Sequence, residues 1–180
     1  MSLRLFVALD LPAGVRSELA AWCDRAAPDL VRRVPAGNLH LTLAFLGSRS
    51  KDEADAVAAL LPKFAAPLGA LSTAGALWLP PRRPGVLTVA LGADERLPAL
   101  HAALVAGLRE AIGFETEARA YRPHVTVGRV PREARLRPPP LDAPPALTFA
   151  APALTLYRSR TQPGGARYEA LASLELTDVT

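Results

Sequence analysis

The stretch Tyr121–Arg129, YRPHVTVGR, places a histidine, a threonine and two arginines on one short segment that alternates as a β-strand does. The stretch Leu39–Leu43, LHLTL, carries the same His-x-Thr pattern earlier in the chain, so two of the three histidines have a threonine two residues on. Side chains two residues apart in a strand share one face and lie about 6.5–7 Å apart. Each stretch therefore predicts a strand that presents an imidazole beside a hydroxyl, on a scaffold that brings the two strands together.

The composition is that of a soluble globular protein. With 180 residues, half of them apolar, the chain is long enough to bury a sizeable core, and we expect residues 1–180 to form a single domain. The apolar runs are far shorter than a membrane span, and the N-terminus lacks the layout of a signal peptide. A single cysteine excludes an internal disulfide framework and fits a reducing compartment. We therefore expect a cytoplasmic monomer without a membrane partner.

The positive charge is carried almost entirely by arginine. The formal net charge is +4, and lysine occurs only at positions 51 and 63, so 19 of the 21 basic residues are Arg. The planar guanidinium suits phosphate, and a basic, Arg-rich chain is compatible with a nucleic-acid or nucleotide partner. The alternative is a general compositional bias, because Ala and Pro are abundant as well.

Hydrophobic periodicity predicts the element order β-α-β-α-β-β-α-β-β-β. The first strand is Leu3–Leu9, and Asp10 is expected to cap the helix that follows. A second helix should begin at a capping box, Ser50–Glu53, and end or kink at Pro62. Asp94 is expected to cap the third helix. This order predicts an α+β fold: a bilobed, pseudo-twofold domain with two antiparallel sheets facing a central cleft and helices on the outside, each lobe contributing one His-x-Thr strand.

Strand parity indicates which side chains can act together. His124 and Thr126 share one face of their strand, whereas Arg129 has the opposite parity. Arg129 can join them only if the strand bends at Gly128, which a glycine permits.

Two other reactive residue types are interpreted as structural. Cys23 falls on the apolar stripe of the first helix and is expected to be a buried core thiol. His101 lies at the edge of the apolar stripe of the third helix, without a threonine two residues on, and is expected to be structural or on the surface.

Two facing His-x-Thr strands suit displacement at phosphorus. With a reference pKa near 6.5, one imidazole can be neutral and act as a base while the other is protonated and acts as an acid. The two threonine hydroxyls can hydrogen-bond the non-bridging phosphate oxygens. Arg129, and also Arg122, can offset the charge that develops there.

Three alternatives remain open from the residues alone. A metal site is disfavoured because two histidines are few ligands and no acidic residue or cysteine lies beside either motif. The histidines can be structural strand residues. The protein can also be a non-catalytic RNA- or nucleotide-binding module that uses the same basic cleft.

Four stretches, in this order along the chain, resemble the two-histidine (2H) phosphoesterase superfamily, and within it the RNA 2′,3′-cyclic phosphodiesterase or 2′-5′ RNA ligase family. The His-x-Thr pair is typical of the superfamily, and the second and fourth stretches narrow the resemblance to this branch. The stretches are Arg4–Asp10 (RLFVALD), Val34–Gly47 (VPAGNLHLTLAFLG), Tyr121–Arg129 (YRPHVTVGR) and Leu156–Leu171 (LYRSRTQPGGARYEAL).

The resemblance implies metal-independent hydrolysis, without a cofactor, of 2′,3′-cyclic phosphate ends of RNA, or of small cyclic nucleotides, to 2′-phosphomonoesters. The reverse reaction would be 2′-5′ RNA ligation. His40 would be the proton donor and His124 the proton acceptor, while Thr42, Thr126 and Arg129 would bind the phosphate.

The chain departs from the family pattern at two positions. Arg33 stands where relatives often carry Trp, and Thr88 lies in a strand where an aromatic residue is expected. Of the remaining residues, Phe6, Arg122 and Tyr121 are expected to line the cleft, with Phe6 available for stacking on a base or ribose.

Overall fold

One antiparallel sheet runs through the described part of the computed structural model, which comprises residues 2–116 and 120–176. Its strands are β1 (Leu3–Asp10), β2 (Arg32–Arg33), β3 (His40–Arg49), β4 (Leu71–Leu79), β5 (Val86–Ala93), β6 (His124–Arg129), β7 (Thr148–Phe149), β8 (Ala153–Gln162) and β9 (Gly165–Glu175). The helices in the same ranges are α1 (Ala13–Ala26), α2 (Lys51–Leu60) and α3 (Arg96–Ile112), with short 3₁₀ turns at Ala36–Asn38 and Leu61–Phe64.

The two His-x-Thr strands lie side by side in the middle of this sheet. The strand order is β7-β4-β5-β6-β3-β1-β8-β9, and β2 also pairs with β6. Strands β3 and β6 meet through one antiparallel pair, Leu41 with Val125, so the sheet has one half on each side of this pair. The predicted α+β fold class is confirmed. The two expected sheets are continuous with each other because their motif strands share this pair. That residues 1–180 form one bilobed domain stays a prediction.

A β-bulge follows the threonine of the first motif. In the ladder between β1 and β3, Ala8 faces Thr42 but Val7 faces Ala44. Leu43 is therefore an extra residue without a partner on β1, which bends the strand locally.

The second motif has a bulge at the same place. In the ladder between β5 and β6, Thr88 faces Thr126 but Leu87 faces Gly128. Val127 is the extra residue here. The two strands share the burial pattern half-buried, buried, half-buried, buried, buried, exposed over their first six residues, which supports the predicted pseudo-twofold relationship.

Each bulge reverses the parity of the residues that follow it. The sixth residue of each strand, Phe45 and Arg129, therefore points to the side that carries the motif histidines, which we call the histidine face. Phe45 lies opposite Phe6 on β1, and Arg129 lies opposite Val86 on β5. Both residues are exposed.

The predicted bend near Gly128 is present, but its cause differs from the expected one. The irregularity lies at Val127, and Gly128 does not have a positive φ. A Cβ atom at position 128 would lie 2.6 Å from Cγ1 of Val31 and 3.6 Å from Sγ of Cys23. Glycine is therefore required at this position by close packing against the core and not by backbone conformation.

The helix ends confirm some of the predicted caps. Ser50 and Glu53 form the expected capping box, and α2 ends at Leu60 before Pro62 in a 3₁₀ turn. At the start of α3 the N-cap is Glu95, without a side-chain cap, and not the predicted Asp94, although Asp94 accepts the main-chain N–H of Arg96. The prediction for Asp10 was wrong: α1 begins after Pro12 without a side-chain cap, because the Asp10 carboxylate is engaged by side chains of β8.

The helices pack their apolar stripes on the other face of the sheet and thereby leave the histidine face open. Burying one such side chain fully contributes about 1.5–3 kcal/mol. Among the described residues, no helix is both long and apolar enough to cross a membrane. The buried helical residues are Leu19, Trp22 and Cys23 of α1, Ala54, Val57 and Leu60 of α2, and Leu97, Leu104 and Leu108 of α3.

Candidate active site

The pair Leu41–Val125 brings four polar side chains to the middle of the histidine face. Because the two strands are antiparallel, His40 lies beside Thr126 and Thr42 lies beside His124, so the two imidazoles occupy diagonal corners of a four-sided group. Diagonal neighbours on such a pair are roughly 7–8 Å apart. A tetrahedral phosphate fits between them with an imidazole on either side.

The main chain sets the orientation of both rings. Nδ1 of His40 lies 2.7 Å from the carbonyl oxygen of Asn38, and Nδ1 of His124 lies 2.8 Å from that of Arg122. A carbonyl only accepts, so each Nδ1 carries the proton and donates it to the residue two positions back. Nε2 is then the reactive nitrogen in both rings. Nε2 of His40 is 3.0 Å from the Thr42 hydroxyl, which donates to it when the imidazole is neutral.

Three aromatic rings surround the His40 imidazole. Phe6 stacks on it at 4.7 Å between ring centroids, Tyr168 meets it edge-on at 5.4 Å, and Tyr157, which stacks on Phe6 at 5.2 Å, lies 6.4 Å from it. Phe6 is only 3% exposed. The expectation that Phe6 offers an open stacking surface was therefore wrong, because the ring is a buried support beneath His40.

Asp10 is the residue that the sequence interpretation missed. It lies opposite His40 in the β1–β3 ladder and accepts hydrogen bonds from Tyr157 Oη at 2.7 Å and Thr155 Oγ1 at 2.9 Å. The negative charge of Asp10 favours protonated His40. Asp10 lies four residues after Phe6 on β1, so the two side chains share one strand face, and this spacing could have placed Asp10 near His40. However, Asp followed by Leu-Pro also has the pattern of a helix cap.

The pKa of His40 is lowered from its ordinary value, chiefly because the ring is buried and its charged form loses hydration. The hydrogen bond to Asn38 and the charge of Asp10 oppose this shift, while Arg129 and His124 add to it. Arg129 and His124 are therefore close enough to His40 to act on it electrostatically.

The surroundings of His124 are aliphatic where those of His40 are acidic and aromatic. The strand pairing places three residues around His40 and three residues at the corresponding positions around His124. None of the three residues around His124 is a carboxylate. The corresponding residues are Asp10 and Ala90, Phe6 and Val86, and Tyr157 and Leu79.

Tyr121 packs against the core and links the two motifs, and its expected place in the lining of the cleft stays a prediction. Its hydroxyl donates to the main-chain carbonyl of Thr42 at 3.1 Å, and its ring stacks on His101 at 3.9 Å with an interplanar angle of 9°. His101 in turn hydrogen-bonds the main chain of Leu43. Burial raises the pKa of Tyr121 well above its usual range, so the hydroxyl remains a donor.

Of the predicted arginines, Arg122 and Arg129 are both on the surface, with Arg129 exposed at the end of β6. Arg122 lines a cavity beside His124.

Arg33 stabilises the fold: its guanidinium donates to the carbonyls of Pro28, Val31 and Ala27, which follow α1 in the chain. Thr88 is fully buried and donates to the carbonyl of Leu77. Neither Arg33 nor Thr88 therefore offers a stacking surface.

In residues 2–116 and 120–176, no group of three or more His, Cys, Asp or Glu side chains is arranged to hold a metal ion.

The fold is that of a known family. The family model of the 2′-5′ RNA ligase superfamily matches residues 6–163, and the chain belongs to this superfamily. The RNA 2′,3′-cyclic phosphodiesterase of Escherichia coli K12 is 32% identical, covering 97% of each chain. The RNA 2′,3′-cyclic phosphodiesterase of Thermus thermophilus is 31% identical, covering 97% of this chain and 90% of that protein.

Solved structures agree with the fold over nearly the whole chain. A Thermus thermophilus protein superposes with a TM-score of 0.81 at 30% identity, covering 97% of this chain and 98% of the other. Escherichia coli LigT in complex with 3′-AMP superposes with a TM-score of 0.77 at 33% identity, covering 99% of this chain and 100% of the other.

Proposed function

We propose that the protein hydrolyses 2′,3′-cyclic phosphate ends of RNA to 2′-phosphomonoesters, with His40 as the acid and His124 as the base and without a metal ion. The observation that carries the proposal is the pair of histidines on one sheet face, each with Nδ1 bound to a main-chain carbonyl and each with Nε2 available. Such a pair supplies both proton transfers that displacement at phosphorus requires.

The reaction uses one proton transfer at each side of the phosphate. A water oxygen attacks phosphorus while Nε2 of His124 takes its proton. The bond between phosphorus and O3′ breaks on the opposite side, and O3′ takes the proton from Nε2 of His40. The bond to O2′ is retained, so the product is a 2′-phosphomonoester with a free 3′-hydroxyl.

The difference between the two halves supports this assignment of roles. Asp10 favours a charged His40, whereas Ala90 stands at the corresponding position beside His124. In the free protein burial outweighs Asp10 and lowers the pKa of His40. A bound phosphate adds negative charge next to the ring and raises that pKa again, so substrate binding favours the protonated acid.

The threonines and Arg129 bind the phosphate. When Nε2 of His40 becomes protonated it no longer accepts from Thr42, and the Thr42 hydroxyl is then able to donate to a phosphate oxygen. Thr126 occupies the corresponding position beside His124. Arg129, brought to the histidine face by the bulge at Val127, offsets the charge that builds up on the phosphate oxygens.

The relatives support the substrate class. Three of them, at 24–32% identity over nearly the full length, bear the name RNA 2′,3′-cyclic phosphodiesterase. The family name adds 2′-5′ ligation, in which a 5′-hydroxyl replaces water in the same step.

The test is to incubate the protein with an oligonucleotide that ends in a 2′,3′-cyclic phosphate, in the presence of a chelator, and to identify the product. We expect a 2′-phosphate, and His40→Ala and His124→Ala should each lower the rate by about 10²–10⁴-fold while the protein remains folded by circular dichroism. A 3′-phosphate would contradict the assigned direction of cleavage. Salt-sensitive binding without turnover would indicate a binding module instead.

A further inference from the structure

The hairpin of β8 and β9 carries three arginines around one carboxylate. Arg158 faces Glu169 and Arg160 faces Arg167 in the ladder between these strands, so the four side chains share one face of the hairpin. Oε2 of Glu169 accepts two hydrogen bonds from Arg160, at 2.8 and 3.1 Å, and lies 4.0 Å from Nη1 of Arg158. Positive charge therefore exceeds negative charge by two on this face.

Arg167 has no hydrogen bond or ion pair with the described residues, 2–116 and 120–176, and it is exposed. It lies directly opposite Arg160, and like charges at such a cross-strand pair destabilise a sheet. A residue that only supported the hairpin would not need this charge. An anion bound between the two guanidiniums would remove the repulsion.

A cavity of about 340 Å³ opens at this group of arginines. Its volume is within the range of about 300–1,000 Å³ that is typical of small-molecule sites. One of its lining residues, Tyr168, also meets the His40 imidazole edge-on at 5.4 Å between ring centroids. A single side chain therefore separates the cavity from the proposed acid. The lining residues are Arg160, Gln162, Arg167, Tyr168 and Glu169.

A hydrogen bond ties the hairpin to the segment that leads into His40. Nδ2 of Asn38 donates to the main-chain carbonyl of Ala166 at 2.8 Å, and the carbonyl of Asn38 accepts from Nδ1 of His40. Ala166 immediately precedes Arg167 in the chain. The position of Arg167 relative to the imidazole is therefore held by this short series of hydrogen bonds.

The proposed reaction places the terminal ribose of the substrate on the same side. O3′ takes its proton from His40 while O2′ keeps the phosphate, and both oxygens belong to one ribose. The rest of the RNA, which is attached through the 5′ oxygen of that ribose, therefore leaves from the His40 half of the site. Each of its phosphodiesters carries a negative charge, and a guanidinium binds such a group through two parallel hydrogen bonds.

We propose that Arg160 and Arg167 bind the phosphodiester on the 5′ side of the terminal nucleoside, so that the protein selects RNA chains over cyclic mononucleotides. The proposal rests on the hydrolytic function proposed above. A 2′,3′-cyclic mononucleotide lacks this phosphodiester and gains nothing from the two arginines. Arg160 and Arg167 thus determine specificity and take no part in the proton transfers.

The experiment compares three substrates that share one terminal nucleoside. They are 2′,3′-cyclic AMP, the dinucleotide ApA with a 2′,3′-cyclic phosphate end, and the same dinucleotide with a neutral methylphosphonate linkage. For the wild-type protein we expect kcat/KM for the natural dinucleotide to exceed that for the mononucleotide by about tenfold or more, because the first gains a charged hydrogen-bonded pair. The methylphosphonate dinucleotide should match the mononucleotide because its linkage has no charge.

Arg167→Gln should act on the dinucleotide alone. We expect kcat/KM for the natural dinucleotide to fall about five- to tenfold, mainly through KM, while kcat/KM for the mononucleotide changes less than about twofold. The salt dependence of the dinucleotide reaction should become less steep, because one contact with the RNA backbone is lost. Arg109→Gln is the matched control: it removes the same charge from an exposed position in the last turn of α3 and should leave both substrates unchanged.

Three results would overturn the assignment of the arginines. The first is equal kcat/KM for the mononucleotide and the dinucleotide in the wild-type protein, which would leave the hydrolytic function intact. The second is an equal loss with both substrates in Arg167→Gln, which would assign Arg167 to the fold or to the catalytic centre. The third is an advantage that the methylphosphonate dinucleotide retains, since the second base would then supply it. A wild-type protein that hydrolyses none of the three substrates would refute the hydrolytic function itself.

Discussion

The hydroxyl of Tyr121 donates a hydrogen bond to the main-chain carbonyl of Thr42, 3.1 Å away. Tyr121 lies three residues before His124, so this bond connects the strand that carries one histidine to the threonine of the other motif. It reaches β3 where the bulge at Leu43 interrupts the ladder with β1. Together with the Leu41–Val125 pair, it fixes the two motifs relative to each other.

Removing this hydroxyl should weaken catalysis. We expect Tyr121→Phe to keep the stacking on His101 but to lower kcat about three- to tenfold by displacing Thr42, with a smaller change in KM. The free energy of unfolding should fall by about 0.5–1.5 kcal/mol, as measured by urea denaturation. The control is Thr73→Val, which removes a hydroxyl of β4 that donates to the carbonyl of Pro145 and accepts the main-chain N–H of Leu147, and it should lower stability without lowering kcat. Equal loss of kcat in both variants would refute the positioning role of Tyr121.

Asp10 should control the pH dependence of the reaction. In its proposed role as proton donor His40 must be charged, so we expect kcat/KM to fall as the pH rises through its pKa, which burial lowers. Asp10→Asn removes a charge that raises this pKa, and the alkaline limb should move to lower pH by about half a unit to one unit. Tyr157→Phe retains the carboxylate and should not move this limb to lower pH. A shift of the acid limb in Asp10→Asn would indicate that His40 is the base.

Gly128 should not tolerate a methyl group. Gly128→Ala places Cβ 2.6 Å from Cγ1 of Val31, and we expect it to lower the free energy of unfolding by about 1–3 kcal/mol. Val31→Ala removes that atom, so the same change in a Val31→Ala background should cost less. Gly14→Ala in α1 meets no atom within 4 Å and should stabilise the helix by about 0.5–1 kcal/mol. Full additivity of the Gly128 and Val31 changes would argue against the contact.

Cys23 should report unfolding. The thiol is 1% exposed and donates to the carbonyl of Val127 at 3.4 Å, and burial raises its pKa. The thiolate is the reactive form of cysteine. A thiol reagent should therefore label the native protein only as fast as unfolding exposes Cys23 to solvent. The labelling rate in increasing urea should follow the fraction unfolded. Rapid labelling without denaturant would contradict the burial of Cys23.

The site was predictable where it depends on strand alternation. The faces of His40, Thr42, His124 and Thr126 follow from spacing alone, since the period of a strand is two residues. The bulges were not predictable, because an extra residue is defined only by the partner strand. The side of Arg129 was therefore left conditional on a bend, and Phe45 was not recognised as its counterpart.

Other outcomes depended on distant partners. Asp10 has the local pattern of a helix cap, and only its hydrogen bonds to Thr155 and Tyr157, at the far end of the chain, identify it as part of the histidine site. Phe6 alternates onto the correct face, but its burial depends on Tyr157 and Tyr168. Ser50 and Glu53 were predicted correctly because a capping box is complete within four residues.

Both histidines donate Nδ1–H to the carbonyl of the residue two positions earlier, Asn38 in one motif and Arg122 in the other. A carbonyl is present whatever side chain the residue carries. The path of the backbone therefore sets the tautomer of both rings, and this tautomer should persist when the side chain of Asn38 or Arg122 is substituted.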